Sequence, residues 1–492
     1  MAKRNRDALI AFILLYTNLF AASPVIFTEH NRNLQTLESV PMLFNYHRQT
    51  ISEERAFFTY PRRDTSFIRN FKQTEENALF SSSQELNGHF YAFAASIVGG
   101  VDYRGSETLG DTIWPSVDGG LYFRGFADSL DFDLDARIYA EKHSAEKAQS
   151  YDGEVFDTQT EDGNAGADYV SYARYRAHMG LNYSWMRLQL ARDVMHWGPG
   201  YYNNLALNQF ALPYNMLSLE FYFGPLHIET FYADLRVASW SYSLKNLNDR
   251  NLYGHRYELA LKNLTIGVTE LQVLYNENKP WLFTPFVPLF IEKGNYSERV
   301  NNGALSLDIN YRLFNTVRLY GEFFLDDMES PIALYENKYS NNRWAGMLGL
   351  QAGHDFYIRT HKLEAGTLAE IARVEPYTYC HYDTAAAQLA HLGLPIGNPN
   401  GPNSLAIDWT IYSLLDNRIY AAIHNKWLWK GTDAGSAIDD PYKTIRKRFI
   451  HGAPLVYTIT PALKYSGNYT FFSAEVTFGD TKAVALRYGF KW

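Results

Sequence analysis

The sequence predicts an all-β protein, a transmembrane antiparallel β-barrel of about 18 strands within a range of 16 to 18, preceded by a small helical N-terminal periplasmic or plug segment. Three observations carry this. The run Ala483 to Trp492 alternates without a break, with Val484, Leu486, Tyr488, Phe490 and Trp492 on one face and Ala485, Arg487, Gly489 and Lys491 on the other. Similar alternation with charges on a single face recurs along most of the chain. Aromatic residues make up 16% of the sequence, with 37 Tyr, 31 Phe and 10 Trp, which suits the two interfacial girdles of a barrel.

The first element is a leader. Lys3, Arg4 and Arg6 precede the apolar stretch Ala8 to Tyr16, and Ala21-Ala22-Ser23 supplies a small-residue exit, so residues 1–22 read as a secretory signal peptide. Cys380 is the single cysteine, which excludes a lipid-anchored N-terminal Cys and an intrachain disulfide. Residues 23–87 carry the polar, helix-like stretches Gln49 to Arg55 and Gln73 to Asn77 without strand alternation, and are expected to sit in the periplasm or plug the barrel.

Residues 88–492 hold the strands. In Leu130 to Glu141, Phe132, Leu134, Ala136, Ile138 and Ala140 share one face while Asp131, Asp133, Asp135, Arg137 and Glu141 share the other. Charges this dense need water, which in a barrel means the lumen. Val317 to Asp326 repeats the pattern with Arg318, Glu322 and Asp326 inward. Further strands are expected at 121–127, 186–192, 226–235, 256–261, 305–311, 347–353, 455–463 and 469–478. The irregular stretches 142–168 and 390–405 are expected to be outward-facing loops, where an external ligand would be met.

Composition excludes some functions. A formal charge of -8 repels phosphate backbones and argues against nucleic acid. Beyond the leader no apolar run is long enough for a spanning helix, so the location expected is the cell outer membrane, crossed many times by strands and contacting outer-membrane lipid. No Gly-x-Ser-x-Gly elbow, His-Glu-x-x-His motif or phosphate-binding glycine loop occurs. His381 and His391 with Asp383 lack a recognised ligand spacing. The expectation is therefore a non-enzyme without cofactor or metal. Glu322 with Asp326 and Asp327 reads either as lumen charges paired to Arg or as a carboxylate pair.

One block is more specific. Arg192-Asp193-Val194-Met195-His196-Trp197-Gly198-Pro199-Gly200, followed by Leu205 to Asn208 and Pro213, resembles the Trp-Gly-Pro-Gly block of the capsule-assembly Wzi family of outer-membrane proteins. His255 to Glu258, Gly267 to Glu270, Asn301-Asn302, Leu319 to Glu322 with Asp326-Asp327, and Gly393 to Gly397 with Gly401-Pro402 resemble further blocks of that family in the same order. The likeness spans roughly residues 120–492. It implies an 18-stranded barrel with a small helical periplasmic segment that binds capsular or extracellular polysaccharide and helps assemble or retain it at the cell surface. Tyr201 to Leu205 lacks the Ser-rich, Arg-containing form of enterobacterial members, and Asn403 stands where an acid is expected.

Read physically, Trp197-Gly198-Pro199-Gly200 is a turn: the glycines permit positive φ and Pro199 fixes its own. Trp197 then either offers a flat face on which a sugar ring stacks, or fills the barrel as structural packing. Tyr377, Tyr379, His381 and Tyr382 form a second aromatic cluster. The candidate polysaccharide-binding residues are Trp197, Tyr320, Glu322, Asp326, Asp327, Tyr377, Tyr379 and His381, with Gly198, Pro199 and Gly200 as the structural turn. The Trp492 end is the expected signal to the barrel-assembly machinery. Alternating strands around a wet lumen equally describe a diffusion porin or sugar-uptake channel, and an outer-membrane enzyme is a third reading.

Overall fold

The structure, a computed structural model, describes residues 80–86, 89–106, 113–141, 170–183, 185–236, 250–275, 278–289, 301–313, 316–327, 342–382, 387–416, 418–441, 447–467 and 470–491. The signal-peptide expectation, residues 23–79, the 142–168 loop, Asp383 and Trp492 lie outside them. In chain order the strands are β1 (Phe80–Leu86), β2 (His89–Ser106), β3 (Ile113–Ala127), β4 (Leu130–Glu141), β5 (Val170–Tyr183), β6 (Met186–Asp193), β7 (Tyr214–Phe223) and β8 (Leu226–Leu235). They continue as β9 (Arg250–Ala260), β10 (Leu264–Tyr275), β11 (Asn301–Leu313), β12 (Val317–Asp327), β13 (Arg343–Ile358), β14 (His361–Val374), β15 (Ala390–His391) and β16 (Leu394–Pro395). The last five are β17 (Ser404–Leu415), β18 (Ile419–Lys430), β19 (Leu455–Ser466), β20 (Thr470–Gly479) and β21 (Ala483–Lys491).

Eighteen of these form a closed antiparallel barrel: each of β2 to β13 pairs with the next, β14 pairs with β17, β17 to β21 pair in series, and β21 pairs back onto β2. Closure satisfies every strand edge, which a bilayer demands because hydrocarbon offers no hydrogen bonds. Turns of two or three residues, such as 128–129, 224–225 and 359–360, alternate with longer loops such as 194–213 and 375–403 along the chain as far as β20, where the three-residue turn 480–482 joins β20 to β21. Short turns mark the periplasmic end and long loops the outside. This is an outer-membrane, multi-pass protein.

Two-residue periodicity builds the wall. On β12, Leu319 and Phe323 face outward and exposed, whereas Arg318, Tyr320, Glu322 and Asp326 face inward and buried. On β21, Leu486, Tyr488 and Phe490 join the lipid-facing belt while Arg487 is enclosed. Register places Arg487 opposite Asp102 across the closing seam. The Arg487 guanidinium lies 2.7 Å from Asp102 on β2 and 2.7 Å from Asp118 on β3, and Asp118 in turn meets Arg137 on β4 at 3.4 Å. Alternating charges thus tie the last strand to the first three.

The strand β1 begins inside the segment expected to be non-barrel. It pairs with β2 from Phe80↔Ala95 to Leu86↔His89, just below the stretch Val98 to Ser106 that β21 covers. One edge of β2 is therefore shared end to end by two strands. Because β21 is only nine residues long, β1 is what covers the lower part of that edge.

Removing the guanidinium between two buried carboxylates has a predictable cost. Arg487→Ala should lower unfolding stability by about 3–5 kcal/mol, read as loss of the compact band at a lower temperature on semi-native gels. An unchanged transition would mean that the backbone ladder alone closes the ring.

Candidate functional site

The loop 194–213 does not leave the barrel; it folds into it. Trp197 and Leu207 pair as an isolated bridge, and between them the chain makes a tight turn. Gly198 has φ +121°, and a Cβ there would lie 2.2 Å from Asn204 Oδ1, so both backbone and space demand glycine. Asn204 pins the turn: its Oδ1 accepts from Gly200 N at 2.9 Å, and its amide donates to the carbonyls of Trp197 and Leu207. Arg318 donates to Pro199 O at 2.7 Å.

Wall carboxylates hold the loop. Glu370 on β14 accepts the successive amide N–H groups of Tyr201, Tyr202 and Asn203 at 2.6, 2.9 and 2.9 Å, and the Tyr320 hydroxyl at 2.7 Å. Glu322 on β12 accepts those of Leu205 and Ala206 at 2.8 and 2.9 Å, with Ser306 Oγ at 2.8 Å. Asp408 on β17 takes Asn203 Nδ2 at 2.7 Å, and Glu229 on β8 takes the Trp197 indole N–H at 2.7 Å. An irregular loop in a desolvated interior carries amides with no ladder partner, each costing about 1–3 kcal/mol if left unmade. The carboxylates supply the missing acceptors.

The loop 375–403 packs on the first. Tyr379 N donates to Asp326 at 2.8 Å, and its hydroxyl donates to Leu205 O at 2.9 Å while accepting from Asn398 N at 3.2 Å. Tyr377 and Tyr379 adopt φ of +66° and +73°, left-handed backbone that tyrosine rarely occupies. These contacts, with Tyr377 N bonded to Gly435 O at 2.9 Å, hold it there. A third loop closes over them: Cys380 Sγ donates to Ala437 O, and burial pushes its thiol well above the usual range.

The expected site residues therefore fall into two groups. Trp197 is 0% exposed, its ring edge-on to Phe231 at 4.9 Å and lying over Gly254, where a Cβ would meet both rings. Tyr320, Glu322, Asp326, Tyr377 and Tyr379 are likewise enclosed and bind the loops to the wall. Of the two readings of Trp197, structural packing is the one this geometry matches. The second group lies at the surface or directly beneath it. Asp327, whose side chain is 46% exposed, pairs with Arg343 at 2.8 Å, and Arg343 donates to Cys380 O. His381 is buried beneath Tyr382, which is 60% exposed, with ring centroids 4.1 Å apart. Asp327, Arg343, His381 and Tyr382 thus share one rim of the outer mouth.

Glu229, Glu370 and Asp408 do not figure among the sequence candidates, although each is an acid at an inward position of its strand. His391 does not join a metal cluster: burial and the charges of Arg250, Arg192 and Arg236 lower its pKa to about 3, and its neutral Nδ1 accepts from Arg236 N at 3.0 Å. Among the described residues no group of three or more His, Cys, Asp or Glu is placed to hold a metal.

If these carboxylates keep the lumen filled, removing them opens it. The double variant Glu322→Ala/Glu370→Ala should show large, noisy single-channel steps in planar bilayers that the parent lacks. Trp197→Ala should lower unfolding stability by about 3–5 kcal/mol; a fully stable variant would contradict the packing role.

No family model and no curated protein sequence matches this chain. Solved structures do. The chain is similar to Wzi of Escherichia coli, described as an outer-membrane protein involved in group 1 capsule assembly and a carbohydrate-binding β-barrel, with a TM-score of 0.55 at 11% identity over 90% of this chain and 88% of that one. OccK8 (OprE) of Pseudomonas aeruginosa aligns with a TM-score of 0.46 at 10% identity over 81% of this chain and 97% of that one. OccAB1 of Acinetobacter baumannii aligns with a TM-score of 0.45 at 10% identity over 82% of this chain and 96% of that one. The likeness to Wzi is one of fold: an outer-membrane β-barrel.

Proposed function

We propose that this barrel, as a distant relative of Wzi, binds capsular or extracellular polysaccharide at its outer mouth and retains it on the cell surface, rather than conducting solutes. The observation that carries the reading is the loop folded into the lumen. Loop 194–213 is bonded to wall carboxylates on four strands, and a diffusion pore has no use for so many buried bonds across its bore. The carbohydrate-binding barrel of similar fold supports the choice of ligand.

Within that reading the polymer meets the exposed rim. Tyr382 offers an open ring to the apolar face of a pyranose, and Asp327 offers a carboxylate to its hydroxyls, held in place by Arg343. Trp197, Tyr377 and Tyr379 support this rim from beneath without touching the ligand. No nucleophile or metal enters the reading, and the protein acts by binding alone.

Deleting the gene should move polysaccharide from the cell-bound to the released fraction while total synthesis continues. Tyr382→Ala should weaken binding of the purified barrel to the strain's own polymer by about 5- to 15-fold, equivalent to about 1–1.5 kcal/mol. An unchanged bound fraction, or large steady currents through the unmodified protein, would favour the porin reading.

A further inference from the structure

Between β10 and β11 the chain runs down the outside of the wall. On β9 the inward residues are Leu252, Gly254, Arg256 and Glu258, since Trp197 packs over Gly254; Asn251, Tyr253, His255 and Tyr257 therefore point toward the membrane. Yet Tyr253 and His255 are as buried as the core. The segment Asn278–Leu289 covers them. Its Leu282 and Leu289 pack with Tyr253 and Leu274 in a cluster separate from the barrel interior.

The wall supplies this segment's polar partners. Tyr253 donates to Asn278 Oδ1 at 3.0 Å and accepts from Lys279 N at 3.2 Å. His255 Nε2 meets Leu282 O at 2.8 Å, Thr230 Oγ1 donates to Phe283 O at 2.8 Å, and the Tyr257 hydroxyl donates to Pro285 O. Leu289 N donates to Glu270 at 3.2 Å. Leu282 N, Thr284 N and Val287 N bond to carbonyls within the segment, and Pro280, Pro285 and Pro288 have no N–H to satisfy. Irregular backbone is tolerated in hydrocarbon only when its polar groups are met by protein. This one largely is.

The outer face of the segment is apolar. From Pro280 to Leu289 the sequence holds no charge, Trp281 is 51% exposed and Phe286 is 70% exposed. Leu226, Leu259, Val268 and Leu307 of the lipid-facing belt lie exposed on the strands it crosses or adjoins. The surface is continuous with the membrane interface already established.

We propose that Asn278–Leu289 is a lipid-embedded strap, whose Trp281 and Phe286 contact the acyl chains of the outer leaflet. The polar stripe on β8 to β10 exists to serve the strap's backbone. Facing hydrocarbon bare, His255 and Glu270 would be costly. Under the strap they are partners. Lys279, with its ammonium 6.0 Å from the Trp281 ring, sits where the strap leaves the barrel's outer end and reaches back toward headgroups.

The test uses depth-sensitive spin labelling of the full-length protein in phospholipid vesicles. Cys380 is buried and is replaced by Ala; nitroxides are attached through Phe286→Cys and, separately, Trp281→Cys. Ile309→Cys in the lipid-facing belt and Lys262→Cys in a periplasmic turn give the two limits. The expected ratio of collision with oxygen to collision with a nickel chelate at 281 and 286 lies within about twofold of that at 309. A ratio matching 262 would place the strap in water and overturn the proposal. So would low collision with both reagents, which would mean that a second protein surface covers it.

Discussion

An eighteen-stranded wall encloses more space than its inward side chains can fill. The chain must either leave that space to water or put backbone into it, and backbone in a dry interior needs acceptors for its amides. Glu370 and Glu322 meet that need, accepting five N–H groups of a single loop between them. A carboxylate is suited to this because its two oxygens accept several bonds at once, and charge-assisted bonds are about twice as strong as neutral ones. Once that loop is fixed, Trp197 has nowhere to lie but against Phe231 and Gly254, and Tyr379 can close over Leu205.

The same rule operates on the other face of the wall with most of the roles reversed. Inside, wall acceptors take N–H groups from loop 194–213. Outside, wall donors on Thr230, His255 and Tyr257 give to the carbonyls of Leu282, Phe283 and Pro285. In both places an irregular segment lies where water is excluded, and regular strands supply its bonding partners. Polar residues on these strands are better understood as sockets for chain than as ligands for solutes.

This rule also explains what the sequence made legible. Alternation exposed β4, β12 and β21, because their inward residues are charges facing one another or the loops. It hid β2, β14 and β17, whose inward rows include Ala92 and Ala94, Leu368 and Ala372, or Ala406 and Leu414, so apolar residues stand on both faces and the period disappears. Much of that hidden wall is where the inward loops pack. Glu370 was lost with β14. Burial of Trp197 was open from its turn alone, because nothing local distinguishes a ring aimed at solvent from one aimed at Phe231. The strap carried a local signal in its charge-free, proline-punctuated run from Pro280 to Leu289, which is unlike an ordinary surface loop.

Enclosure of the aromatic residues is compatible with polymer binding, given the form of the ligand. A surface polysaccharide repeats, so one strand can engage many barrels, and modest single-site affinity multiplies through effective concentration. A shallow rim suffices. What such a rim requires is rigidity, since every side chain or loop frozen on binding subtracts from a small gain. Tyr382 stands on His381, which follows a Cys380 carbonyl held by Arg343, and Arg343 is held in turn by Asp327. Beneath them Tyr379 ties this loop to the one that Glu322 and Glu370 fix to the wall. In the proposed binding role the buried network would act at a distance, by keeping a small exposed surface ready for each sugar unit that reaches it.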